Sequence, residues 1–139
     1  MSLVKIDDKQ IEYVWYGPGP ADAATLVFLH EGLGSVSLWR DFPRHVSQAT
    51  GCGALVYSRL GYGASDQISL PRLVRFMHDE ALVMLPQIFQ VFRIQRAILV
   101  GHSDGASIGI IYAGGVTENR VAGLILEAPH VFVESIGLE

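Results

Sequence analysis

Between residues 97 and 113 the chain runs from Ala97-Ile98-Leu99-Val100 through Gly101-His102-Ser103-Asp104-Gly105 into Ala106-Ser107-Ile108-Gly109-Ile110-Ile111-Tyr112-Ala113. The apolar run is of the kind a strand buried on both faces needs, and the segment after it reads as a helix. A serine at the junction of the two, flanked by Gly101 and Gly105, constrains the backbone severely. To lift Ser103 above the end of a sheet, the chain must turn so sharply that residues 101 and 105 approach closely. Only very small side chains fit there, and the serine itself takes a strained conformation. Strand, G-x-S-x-G and helix in that order are the context of a nucleophile elbow. The competing reading of the same stretch is a flexible glycine loop.

The rest of the chain alternates strand and helix patterns. Val4-Lys5-Ile6 and Ile11-Glu12-Tyr13-Val14-Trp15-Tyr16 read as an antiparallel hairpin, the second strand alternating as a half-exposed one does. Thr25-Leu26-Val27-Phe28-Leu29 and Ala54-Leu55-Val56-Tyr57 read as buried strands, and Val121 to Glu127 reads as one more strand. Trp39 to Thr50 fits a helix through Trp39, Phe42, Val46 and Ala49. Pro71 to Phe92 carries the clearest helical period, with Pro86 expected to kink or divide it. Such alternation predicts right-handed crossovers and a mostly parallel twisted α/β sheet with helices on both faces. Ligands bind beyond the carboxyl ends of such strands. Topology therefore brings Ser103, His30 to Gly34 and Ser58-Arg59 to one rim.

Composition narrows the function classes. At 139 residues, half of them apolar and 17% charged, the chain suits one domain with a substantial core. The formal charge is −4 and no basic cluster is present, which argues against nucleic-acid and anionic-membrane partners and leaves a small-molecule substrate. Cys52 is the single cysteine, so neither an intrachain disulfide nor a cysteine-rich metal site is available. Neither a secretory leader nor an apolar run of membrane-spanning length is evident, so a cytoplasmic location is the default expectation. The glycine pairs Gly32-Leu33-Gly34 and Gly61-Tyr62-Gly63 lack the third glycine and downstream acid of a dinucleotide site, and neither has a P-loop ending. No metal or other cofactor is expected.

A serine hydroxyl is a weak nucleophile until a base takes its proton, and acyl transfer also needs donors aimed at the oxyanion. In an elbow one donor is the N–H of the residue after the serine, here Asp104. The other is sought in the loop His30-Glu31-Gly32-Leu33-Gly34-Ser35. That loop with Leu29 and Trp39, the stretch Ser58 to Asp66, and Gly101 to Gly105 agree in order and spacing with one family. The chain resembles the N-terminal half of a serine-dependent α/β-hydrolase.

The resemblance implies a truncated α/β-hydrolase fold in which residues 1–139 are the N-terminal portion of the core domain. It implies Ser103 as nucleophile, Gly101, His102 and Gly105 as the elbow, and Gly32 and Asp104 as oxyanion donors. The family's usual His-Gly is His30-Glu31 here, so the first donor carries over to Gly32. Glu31 then points to solvent, pairs with Arg59 or contacts a polar substrate. His30, Glu31, Arg59 and His130 are candidate pocket residues, and the Arg59 to Asp66 loop is scaffolding.

In the family the acid and then the histidine follow later strands, and this chain stops before either. Of the five histidines, His30 is expected to order the loop, His102 to project away from the serine, and His45 and His78 to sit in helices. His130 follows the last strand and could approach the rim, but it does not occupy the family's histidine position. Glu127 or Glu134 could supply an acid, a variant some members use. The expectation is thus a nucleophile and oxyanion hole without the activating machinery, and little turnover from these 139 residues. The ending reads as a fragment or a shortened gene product, with Leu138-Glu139 a possible cloning remnant. A terminal edge of Leu124-Ile125-Leu126, with no charge blocking it, would be open to self-association. The leading function is hydrolysis of an ester or related small acyl substrate through an acyl-serine intermediate. The alternative is a catalytically silent module that binds a ligand or partner.

Overall fold

The computed structural model describes residues 1–118, 120–133 and 135. Six strands, β1 (Ser2–Ile6), β2 (Lys9–Tyr16), β3 (Thr25–Leu29), β4 (Gly53–Tyr57), β5 (Ala97–His102) and β6 (Val121–Glu127), form one sheet in the order β1-β2-β4-β3-β5-β6. β1 and β2 are the antiparallel hairpin, and β2 also runs antiparallel to β4. β4, β3, β5 and β6 are mutually parallel. The sheet is mostly parallel, as the alternation of patterns predicts.

The reason for continuous apolar runs is visible in how β3 distributes its side chains. Val27 and Leu29 face one core with Leu55 and Tyr57, under Leu85, Ile88, Phe89, Ile108 and Tyr112. Leu26 and Phe28 face the opposite core with Val56, under Val36, Trp39 and Val46. A strand covered by helices on both sides has no solvated face, so alternation disappears from its sequence.

β2 departs from the expected alternation at Glu12, which is buried. Its Oε2 accepts hydrogen bonds from Ser58 Oγ at 2.7 Å and from the Ala64 amide at 2.9 Å. Its own amide donates to Ser65 Oγ at 2.9 Å. A residue satisfied at these three points tolerates burial, and here it pins the loop after β4 to the hairpin.

Two helices differ from their periodicity. Residues Val36–Trp39 form a 3₁₀ turn, and α1 begins only at Phe42 (Phe42–Thr50). Arg40 sits between them at φ 50°, which breaks the helix, and α1 buries Pro43 and Ser47 rather than Phe42 and Ala49. In the second case the helix starts at Phe76 instead of Pro71. Leu70 and Val74, which seed the apparent period, are exposed and have no core to face. The helix then runs as α2 (Phe76–Asp79), a π turn (Glu80–Met84) and α3 (Leu85–Val91). Pro86 explains the division. It has no N–H for the carbonyl of Leu82 and its ring presses on that carbonyl, so the turn before it widens. Among the described residues, no helix is long and apolar enough to cross a membrane.

Candidate active site

β3 and β5 are adjacent and in register with Leu29 opposite Gly101, so the segments leaving the two strands emerge side by side. From β5 the chain turns at Ser103 directly into α4 (Asp104–Gly115). Ser103 takes φ 53° and ψ −116°, a region costly for any residue with a side chain. The glycines on either side of it are obligatory on steric grounds. A Cβ on Gly101 would lie 2.5 Å from Gly105 O and 2.6 Å from the Ala106 amide nitrogen. A Cβ on Gly105 would collide with the carbonyl of Leu29. The elbow is therefore pressed against the end of β3, next to the loop that begins at His30.

That loop is held from behind by Arg59, which is 3% exposed. Its guanidinium donates to the main-chain carbonyl of His30 and, at 3.2 Å, to that of Glu31. Its amide donates to His30 Nε2 at 3.0 Å, so the imidazole proton resides on Nδ1 and is given to Glu31 O at 2.7 Å. Of the three roles open to Glu31, a side-chain pair with Arg59 is not the one formed. The Glu31 carboxylate folds back to accept the Leu33 amide at 3.2 Å, while Arg59 takes the backbone carbonyls. The sequence does carry a signal for this: a cation two residues after a fully apolar strand has little to pair with except the polar main chain of a neighbouring loop.

Burial, with the Arg59 charge beside it, lowers the His30 pKa from 6.5 to about 3. His30 is therefore neutral in the folded chain and protonates more readily when unfolded. Stability from this group is complete above pH 6.5 and is lost as pH falls toward about 3. Denaturant unfolding is expected to show a pH slope of up to about 1.4 kcal/mol per unit from this proton. His30→Gln, which keeps a donor and an acceptor, should flatten that part of the slope.

Gly32 lies beside the residue after the nucleophile, since a Cβ on it would come to 3.0 Å from Asp104 Oδ2. His102 lines a cleft of about 270 Å³ together with His30, Glu31, Ser35, Leu38 and Trp39. His45 and His78 lie on α1 and α2, and both are exposed.

His130 is brought to the serine. Its Nε2 stands 2.8 Å from Ser103 Oγ, and Asp104 Oδ1 is 3.8 Å from the same nitrogen. The segment after β6 reaches this place because Ser107, on α4, binds it at two points. The His130 amide donates to Ser107 Oγ at 2.8 Å, and the Ser107 hydroxyl donates to His130 O at 3.0 Å. Sequence reasoning misses Ser107, whose one signal is its position a helical turn after Ser103. Glu127 meets the elbow through its main chain, its carbonyl accepting the Ser103 amide at 2.9 Å. Glu134 and Leu138-Glu139 lie outside the described residues.

A serine raised on a strand-to-helix elbow, with a second loop folded beside it at the carboxyl ends of parallel strands, defines a class of α/β enzyme scaffold. A sequence profile of the alpha/beta hydrolase fold family matches residues 24–136, and the chain belongs to that family. Solved structures agree in fold. One is an alpha/beta hydrolase enzyme from a Medee basin deep-sea metagenome library, at TM-score 0.76 and 22% identity, covering 90% of this chain and 43% of that one. Another is an esterase from Exiguobacterium antarcticum, at TM-score 0.77 and 19% identity, covering 98% of this chain and 48% of that one. A third is described among novel epoxide hydrolases in metagenomes from hot environments, at TM-score 0.75 and 26% identity, covering 92% and 41%. The chain thus spans less than half the length of each of these structures.

Proposed function

We propose that this chain carries the nucleophilic half of a serine hydrolase acting on an ester or related small acyl substrate, through an acyl-Ser103 intermediate. The observation that carries the reading is the conformation of Ser103. A serine kept at φ 53°, ψ −116° between β5 and α4 carries a strain that a loop with no task would relax. Family membership and the esterase neighbour support it. A serine at the elbow is the nucleophile that acyl transfer through a covalent intermediate uses.

In this reading the Asp104 amide and the amide of Gly32 receive the oxyanion, and their carriers are adjacent at the elbow. Losing one such donor costs on the order of 3 kcal/mol of transition-state stabilisation in other enzymes. The cleft lined by His102 and a second one of about 490 Å³, lined by Ser107, His130, Phe76 and Met77, give room for a small acyl group and its leaving group.

The test is covalent capture. A fluorophosphonate is expected to add one equivalent to the chain, and peptide mass mapping should place it on Ser103. An adduct on another residue, or no adduct in excess reagent, would end the reading.

A further inference from the structure

We infer that His130 is the proton acceptor for Ser103 in this chain, and that Ser107 is the positioning residue that holds it there. The inference rests on Ser103 being the nucleophile. His130 Nε2 lies 2.8 Å from Ser103 Oγ, within direct proton-transfer reach. What makes the contact more than a chance approach of an exposed ring is how its backbone is fixed. Ser107 takes the His130 amide at 2.8 Å and gives its own proton to the His130 carbonyl at 3.0 Å. Ser107 is 5% exposed, and its amide donates to the Ser103 carbonyl at 3.1 Å. Nucleophile and imidazole are therefore both referenced to the first turn of α4. Their separation is set by a helix rather than by the segment that carries the histidine.

The charges facing the imidazole are consistent with this role. Asp104 Oδ1, 3.8 Å from Nε2, attracts the imidazolium that forms on proton transfer. It lies on the Nε2 side, so it does not hold Nδ1 as a triad acid does. From α2, His78 shares the cleft wall with His130.

The step balances. With its own proton on Nδ1, His130 accepts the Ser103 Oγ proton at Nε2 as Oγ bonds to the carbonyl carbon, and the carbonyl π pair moves onto oxygen. On collapse that pair returns, the bond to the alkoxide breaks, and the imidazolium protonates the departing alcohol. Water then gives a proton to Nε2 and adds to the acyl carbon. Ser103 leaves with that proton as the acid is released.

Pre-steady-state release of p-nitrophenolate from p-nitrophenyl acetate, measured on the 139-residue chain, tests the assignment. Subtracting the rate of Ser103→Ala isolates the serine reaction. His130→Ala is expected to slow it on the order of 10²-fold or more, and added imidazole should restore part of the lost rate in this variant but not in Ser103→Ala. Ser107→Ala is expected to slow acylation about tenfold through misplacement of the ring, with the ester's half-saturation concentration unchanged. Ser107→Thr, which keeps the hydroxyl, should recover most of it. A His130→Ala rate within about twofold of the unmodified chain, or a loss that imidazole does not repair, overturns the role of His130. Ser107→Ala at the unmodified rate overturns the clamp. An unmodified chain no faster than Ser103→Ala overturns the nucleophile reading instead, and this one with it.

Discussion

Gly105→Val is expected to leave the chain without a cooperative unfolding transition. The hydrogen that stands where a Cβ would be points at the carbonyl of Leu29, and that carbonyl belongs to the centre of the sheet. Nothing near it is the far end of a flexible side chain. α4 would have to lift from β3 to make room, and Ile108 and Tyr112, both essentially buried, would leave the core with it. Exposing two large apolar side chains costs roughly 3–6 kcal/mol at about 1.5–3 kcal/mol each, a sizeable share of the roughly 5–15 kcal/mol that holds a typical domain folded. Circular dichroism against denaturant reads the result. A sigmoidal transition near that of the unmodified chain would show that the close approach of α4 to β3 is not required.

Ser103→Gly is expected to abolish fluorophosphonate labelling and, at the same time, to make the chain more stable. Glycine adopts φ 53°, ψ −116° at no steric cost, which relieves about 1–3 kcal/mol of strain. The extra freedom of an unfolded glycine gives back about 0.5–1 kcal/mol. The hydrogen bond between Ser103 Oγ and His130 is lost, but it ties an exposed histidine and offsets little. The net is a gain of about 1 kcal/mol, readable as a higher denaturation midpoint at unchanged slope. Ser103→Ala separates the two effects, since it removes the hydroxyl while keeping the strain. Equal midpoints for the glycine and alanine variants would mean that the elbow stores no strain.

Much of the fold is legible in the sequence because the central strands of this sheet are written in nearly continuous apolar runs. Thr25–Leu29 and Val121–Glu127 form with the bounds that their sequence pattern marks out. The elbow is legible for a different reason: two glycines at fixed offsets encode a close approach that no other residue permits. The features that escape are set by the tertiary surroundings. Leu70 and Val74 continue a helical period in sequence but meet no partner, so periodicity alone extends the helix too far. Glu12 looks like an outward-facing strand residue until the loop from Ser58 to Ser65 folds over it. Ser107 and His130 are 23 residues apart, and neither is informative until β6 returns beside β5. Arg59 reads in sequence as scaffolding beside the pocket. Its position is legible, but of its three bonds to the His30 loop two end on main-chain carbonyls and the third starts from its own amide, and a sequence does not display backbone atoms.

The strand order has a kinetic implication. β3 lies between β4 and β5, and β5 is separated from it in the chain by α1, β4 and the whole α2–α3 segment. During synthesis Leu26 to Leu29 must wait, half-paired and apolar, until the ribosome has delivered that later strand. Such long-range pairing slows folding and leaves sticky intermediates in the interval. The hydroxyl and the loop it faces come together only when that wait ends, so refolding followed by the appearance of labelling should lag behind refolding followed by helix content.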